Sequence, residues 1–272
     1  MKKRFIVLID FSAYSLDLLQ YVCDWSNQVD AEVLLLHQTL VFVPALADNE
    51  TRKQIVFQTN TDALIQLKAL VTDNHIQTGK ISFYVTETSL NTTLERLLAD
   101  PFENLLFVGL KRTARIKQLV LGSVALQVIE KNNNCVVALP AAITKFNHPR
   151  ILVAVTEKHP LNILELNNFL KFVDSDTTQI TFFYLAKPNE KTTGIEKQLR
   201  QLSELFADRF TTDYTLFEGD NPFNDIKNLI NNKTDELLVV QKGTRYFTDQ
   251  LFRKFMVSEL VYEGETPLVV LP

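Results

Sequence analysis

Short apolar runs alternate with segments of helical spacing along the whole chain. Phe5–Ile9, Asn104–Val108 and Val136–Leu139 are nearly continuous apolar runs, and Glu32–His37 carries a similar run between polar ends. Runs of this kind predict strands buried on both faces. Ile81–Val85 alternates as a further strand does. Between the runs, Ser15 opens a predicted helix with Leu16, Leu19, Tyr21, Val22 and Cys23 on its apolar stripe. Residues 51–72 read as a second helix through Ile55, Leu64, Leu67 and Val71. Asn91 or Thr92 caps a short third helix ending at Ala99, and 123–131 reads as a fourth. Residues 39–50, which include Pro44, are read as irregular.

The pattern then starts again. Residues 4–11, an apolar run ending near Asp10, are matched by residues 150–157. Cys135-Val-Val-Ala-Leu-Pro140 is matched by Pro267-Leu-Val-Val-Leu-Pro272. Further strands are predicted at 150–155, 179–185, 212–217, 236–240 and 268–271, with helices at 160–173, 189–207, 221–232 and 248–262. A repeat this long implies two copies of one domain, 1–143 and 149–272, joined by a connector that begins at Ala141-Ala142 and ends near Pro149. Strands alternating with helices predict an α/β fold, a doubly wound parallel sheet in each copy. Right-handed crossovers restrict its topology.

The net charge is −4 with no basic stripe, which argues against nucleic acid as a partner. No apolar run approaches the ~18 residues of a membrane helix. Met1-Lys-Lys-Arg leads straight into a strand pattern, unlike a signal peptide. Two lone cysteines, Cys23 and Cys135, both sit in apolar segments and fit buried thiols in a reducing cytoplasm.

In an open parallel sheet, ligands bind beyond the carboxyl ends of the strands, where strand order reverses. The first strand of the first copy ends at Asp10, and the fourth at Gly109. A long loop carrying Lys111, Arg112, Arg115 and Lys117 follows Gly109 and closes on Gly122-Ser123, which opens a helix. Glycines allow close backbone approach, and a helix start offers N–H donors to phosphate. Asp10 can accept from ribose hydroxyls. Each feature also has an ordinary structural reading, as a cap, a turn or a solvated basic face.

Asp10-Phe-Ser12, Leu36-His37 and the Gly109 to Gly122-Ser123-Val124 segment together resemble the universal stress protein family, in two tandem copies spanning nearly the whole chain. The resemblance implies two five-strand parallel sheets of order 3-2-1-4-5, a Rossmann-like, adenine-nucleotide alpha-hydrolase-like fold. It also implies ATP, or another adenine nucleotide, as ligand, with the backbone at Gln38 bordering the adenine. The family's loop has a glycine, two residues, a second glycine, nine residues, a third glycine, then Ser or Thr. Gly109, Gly122 and Ser123 fit that spacing, but Arg112 stands at the middle glycine. Its side chain either fills the phosphate space or contacts a phosphate. In the second copy, Thr156 replaces Asp10, Gln241 replaces Gly109 with Gly243 nearby, and Lys254-Phe255 replace Gly122-Ser123. That copy is expected to have lost the site.

His37, His75, His148 and His159 lack metal-ligand spacing, and neither a Gly-x-Ser-x-Gly elbow nor a Walker A sequence occurs. Tyr246-Phe247, Phe252 and Phe255-Met256 either pack the last helix or form a surface for the other copy or a second chain. The expected protein is a cytoplasmic stress-response binding or signalling module with at most one nucleotide site, and not an enzyme. Alternatives are a nucleotide-free interaction protein, its pocket closed by Arg112, and a slow ATPase. The two copies are expected to pair with each other, strand 135–139 beside 268–271, which covers two sheet edges. A further homodimer is left open.

Overall fold

The computed structural model describes residues 1–76, 80–110, 123–140, 143–157, 159–186, 190–218, 236–242 and 266–272, without the side chains of Ser123 and Leu126. The first half runs β1 (Lys2–Leu8), α1 (Ser15–Val29), β2 (Glu32–Gln38), α2 (Asn49–Thr72), β3 (Ile81–Thr86), α3 (Leu90–Leu98), β4 (Phe102–Gly109), α4 (Ser123–Lys131) and β5 (Val136–Leu139). The second runs β6 (Arg150–Ala154), α5 (Ile163–Leu170), β7 (Gln179–Leu185), α6 (Thr193–Phe206), β8 (Thr211–Phe217), β9 (Glu236–Gln241) and β10 (Leu268–Leu271). The helices expected at 221–232 and 248–262 lie outside the described residues.

Local chemistry moves several boundaries. β1 starts earlier than its apolar run because Arg4, though buried, is satisfied. It donates to Asn104 Oδ1 (2.9 Å) and to the Leu97 carbonyl, and pairs with Asp100 at 2.9 Å. Its counterpart Arg150 opens β6 and pairs with Glu236 at 2.9 Å, at the same register against the neighbouring strand. α2 starts at Asn49 because Asp48 accepts from the Thr51 amide at 2.7 Å. Ser89, rather than Asn91 or Thr92, caps α3. α5 is shorter than expected, beginning where Asn162 accepts from the Glu165 amide.

Among the described residues the strands form one sheet, ordered β3-β2-β1-β4-β5-β10-β9-β6-β7-β8. Each half has the order 3-2-1-4-5 and is parallel throughout, as expected. The two expected sheets are joined edge to edge by the antiparallel pair β5–β10, with Val137 opposite Val269. Loop hydrogen bonds repeat as well. Ile9 donates to the Leu36 carbonyl and Val155 to that of Phe183, while Leu110 donates to Leu139 and Lys242 to Leu271.

Alternate strand residues face opposite sides. Phe5, Val7 and Ile9 enter one apolar cluster and Ile6 the other, and each cluster runs through both halves. Both faces of the central strands are therefore dry, which explains the unbroken apolar runs. The seam is reinforced on the α1 side. Trp25, fully buried, stacks on Phe146 of the connector (4.2 Å, 12°) and donates its indole N–H to the Phe172 carbonyl at 2.7 Å. Lys171 pairs with Glu103 across the seam at 2.8 Å.

Truncating Trp25→Ala should cost about 3–5 kcal/mol, read by denaturant titration; a change under about 1 kcal/mol would contradict this packing. Both cysteines are buried and free. Burial, with Asp24 adding, pushes the Cys23 thiol up to about 12, and burial raises Cys135 as well. Since thiolate is the reactive form, iodoacetamide at pH 8 should alkylate neither in the native protein and both after unfolding.

Candidate functional site

Strand order reverses around β1, which has β2 on one side and β4 on the other. A cleft of about 480 Å³ opens at the carboxyl ends of these three strands. Asp10, Gln38 and Gly109, all expected at the site, line it, together with Val124 and Ala125 from the first turn of α4. Ser123 opens α4 as expected, but its side chain is not described. Arg112 and Gly122, with Lys111, Arg115 and Lys117, lie outside the described residues.

Asp10 has a definite local task. Its Oδ1 accepts from the Ser12 amide (3.0 Å) and the Ser15 hydroxyl (3.1 Å), which ties the end of β1 to the start of α1. The turn reading and the cleft reading thus hold together. Between them Phe11 takes a left-handed backbone, φ 55°, a conformation that costs a non-glycine residue energy and collects at functional sites. The Phe11 ring lies 4.4 Å from that of His37. His37 Nδ1 is 2.7 Å from the Ile9 carbonyl oxygen. A carbonyl only accepts, so this nitrogen carries the proton. His37 thus has a structural task at the end of β1, and it also lines the cleft.

Gly109 shows no packing need for glycine. An added Cβ would meet Leu18 Cδ2 at 3.8 Å, an ordinary contact. The missing side chain instead leaves that wall of the cleft open. α1 begins at Ser15 without a side-chain cap. Tyr14, Ser15 and Leu40 also line the cleft and were not singled out from the sequence. Their signal was weak, because each belongs to a turn, a helix start or a loop whose position depends on the strand ends.

The second half treats the same place differently. Gln241, which ends β9 as Gly109 ends β4, turns its Oε1 back to accept from the Asn162 amide at 2.6 Å. Thr156, at the Asp10 position, donates to the His159 carbonyl at 3.1 Å. Side chains of the protein itself therefore occupy donors and acceptors at the start of α5. Gly243, Lys254, Phe255 and the aromatic cluster from Tyr246 to Met256 lie outside the described residues. Among the described residues no group of three or more His, Cys, Asp or Glu is placed to hold a metal ion, and no helix is long and apolar enough to cross a membrane.

Solved structures share this architecture from end to end. A universal stress protein from Archaeoglobus fulgidus is similar with a TM-score of 0.67 and 15% identity, over 98% of this chain and 97% of that one. A protein of unknown function from Pseudomonas aeruginosa PAO1 has a TM-score of 0.54 and 13% identity, over 99% and 92%. The cytoplasmic domain of a prokaryotic cation chloride cotransporter has a TM-score of 0.53 and 14% identity, over 99% and 95%. No protein-family model matches the chain, and no curated protein matches its sequence. The chain has the fold of the universal stress proteins, an α/β fold of the Rossmann-like, adenine-nucleotide alpha-hydrolase type, carried twice in tandem.

Replacing Asp10→Ala removes the acceptor for Ser12 and Ser15 and should lower stability by about 0.5–1.5 kcal/mol, the net worth of a typical intramolecular hydrogen bond. Thermal unfolding without ligand measures this. An unchanged midpoint would mean that the carboxylate does not organise the turn.

Proposed function

We propose that the chain is a cytoplasmic stress-response protein of the universal stress type, built of domains 1–143 and 149–272. It acts as a binding or signalling module with one adenine-nucleotide site, in its first domain. ATP is the leading ligand. In this reading Asp10 accepts from the ribose hydroxyls and the backbone at Gln38 borders the adenine. Gly109 and Gly122 let the phosphates approach, and Ser123 and Arg112 donate to them. One observation carries the reading. The first half keeps an open cleft bordered by Asp10 and Gly109, whereas Gln241 is folded inward at the matching place in the second half. The reading assigns no efficient turnover, because the sequence offers no carboxylate pair for a catalytic metal and no evident general base.

A second reading is a nucleotide-free interaction protein. It is favoured by Arg112 at the middle glycine position, whose side chain would close the pocket. The cations that would balance phosphate belong to the 111–122 segment. A slow ATPase is a third reading, and it requires phosphate release that disappears in Asp10→Ala.

Calorimetric titration of the full chain with ATP and AMP separates the first two. One nucleotide should bind per chain, and Asp10→Ala should weaken it by at least ~10-fold, about 1.4 kcal/mol. Absence of heat at millimolar nucleotide would retire the site. Binding that appears only after Arg112→Gly would establish the interaction-only reading.

A further inference from the structure

Gln38 and Leu40 line the cleft. Thr39, between them, is 4% exposed and sends its side chain to α2. Its backbone N–H donates to the Thr86 carbonyl at 2.9 Å, one step beyond the last β2–β3 pair, Gln38 with Thr86. Its hydroxyl donates to Asn60 Oδ1 at 2.6 Å, and Asn60 Nδ2 donates to Glu87 Oε2 at 2.8 Å. A carboxylate only accepts, so the Asn60 nitrogen faces Glu87 and its oxygen faces Thr39. Both ends of the amide are therefore used, and the bridge runs in one direction from the end of β2 through α2 to the end of β3. The Asn60 donor, and after it Glu87's own backbone N–H, hold the Glu87 carboxyl below the usual carboxylate range.

Helix packing alone does not account for this asparagine. Asn60, Ala63 and Leu67 stand at i, i+3 and i+7, and Ala63 and Leu67 are the residues that α2 fully buries. Leucine would continue that stripe with better helix propensity. Asparagine instead puts a polar amide on the sheet side, where it needs partners. The partners it has are the two strand ends beside the cleft.

The second half supplies a contrast. Register places Ala186 at the position of Thr39 and Glu218 at that of Glu87. The backbone bond is kept, since Ala186 N donates to the Phe217 carbonyl at 3.0 Å. The carboxylate is also still held from the helix side, by Thr192 at the start of α6 (3.0 Å). The missing part is the link to the strand end, a side-chain bond that Ala186 cannot make. The full bridge thus accompanies the open cleft, and the half in which Gln241 folds inward has a methyl group at that point.

We propose that Asn60 is a positioning residue of the cleft, fixing through Thr39 the Gln38–Leu40 wall against which the base of the nucleotide rests. The inference rests on the nucleotide reading given above. Asn60 acts on the backbone that borders the base and makes no contact with phosphate. Its loss therefore weakens ligands that share a base by the same factor, whatever their phosphate count.

Calorimetric titration of full-length variants with ATP and AMP, beside their thermal midpoints, tests this. Asn60→Leu and Thr39→Val should each weaken both nucleotides at least ~10-fold without lowering the midpoint, because each keeps an apolar group in the space. The double variant should lose no more than either single one, since one bridge is broken in all three. Glu87→Gln retains an acceptor oxygen for Asn60 and should bind as the wild type does, whereas Glu87→Ala should not. Wild-type binding that the Asn60 and Thr39 substitutions leave unchanged overturns the role of Asn60 alone. So does a loss confined to ATP, or one seen only where the midpoint also falls. A wild type that gives no heat with either nucleotide overturns the site reading and this role together.

Discussion

The antiparallel pair β5–β10 holds the rest of this architecture in place. Each five-strand half ends in a short, wholly apolar strand whose outer backbone groups would otherwise face water. An exposed apolar edge of that kind invites association with other chains. Joining the two edges satisfies both at once and merges two small cores into clusters that run the width of the sheet. The antiparallel sense also relates the halves by an approximate twofold, which brings α1 and α5 to the same side of the seam. Trp25 fills the space there and donates its N–H to a carbonyl 147 residues away. Lys242 works at another point of the seam, where its ammonium reaches the Glu130 and Asn132 carbonyls at the end of α4.

Duplication frees one copy to change. Both halves keep the elements that build the sheet. An arginine near the start of each central strand grips a side chain on the neighbouring strand, and the same loop amides meet the same carbonyls. They differ at the carboxyl ends of the strands, where the sheet's stability is least at stake. In the first half Asp10 binds donors of its own turn and Gly109 contributes no side chain. In the second, Gln241 supplies an oxygen to the start of α5. A group that fills its own cleft removes both the room and the unsatisfied amide that a ligand would use.

Much of the fold was legible because its cause is local. Continuous apolar runs such as Leu105–Val108 arise when both faces of a strand are covered, and the spacing of Leu19, Val22 and Cys23 arises from one buried helix face. Boundaries were less legible. The buried Arg4 looks like a polar residue before a strand until Asp100 and Asn104 are seen to receive it. Of the cleft, Asp10 and Gly109 could be read from their places at strand ends, and Gln38 followed from the family resemblance. Tyr14, Ser15 and Leu40 could not, because a turn residue lines a cleft only once two strands fix where the turn points.

The sequence by itself determined that the chain holds two α/β copies, which residues form the strands, and that the second copy carries Thr156 and Gln241 where the first has Asp10 and Gly109. Side-chain periodicity and residue identity settle those matters without reference to distant partners. The tertiary structure decided that the strands make one sheet, that Gln241 turns back onto Asn162, and that α2, for all its length, fully buries just Ala63 and Leu67. Each of these depends on which surfaces meet across long stretches of chain. Hydrophobic pattern states that a face will be buried, but the geometry of the assembled sheet selects what buries it.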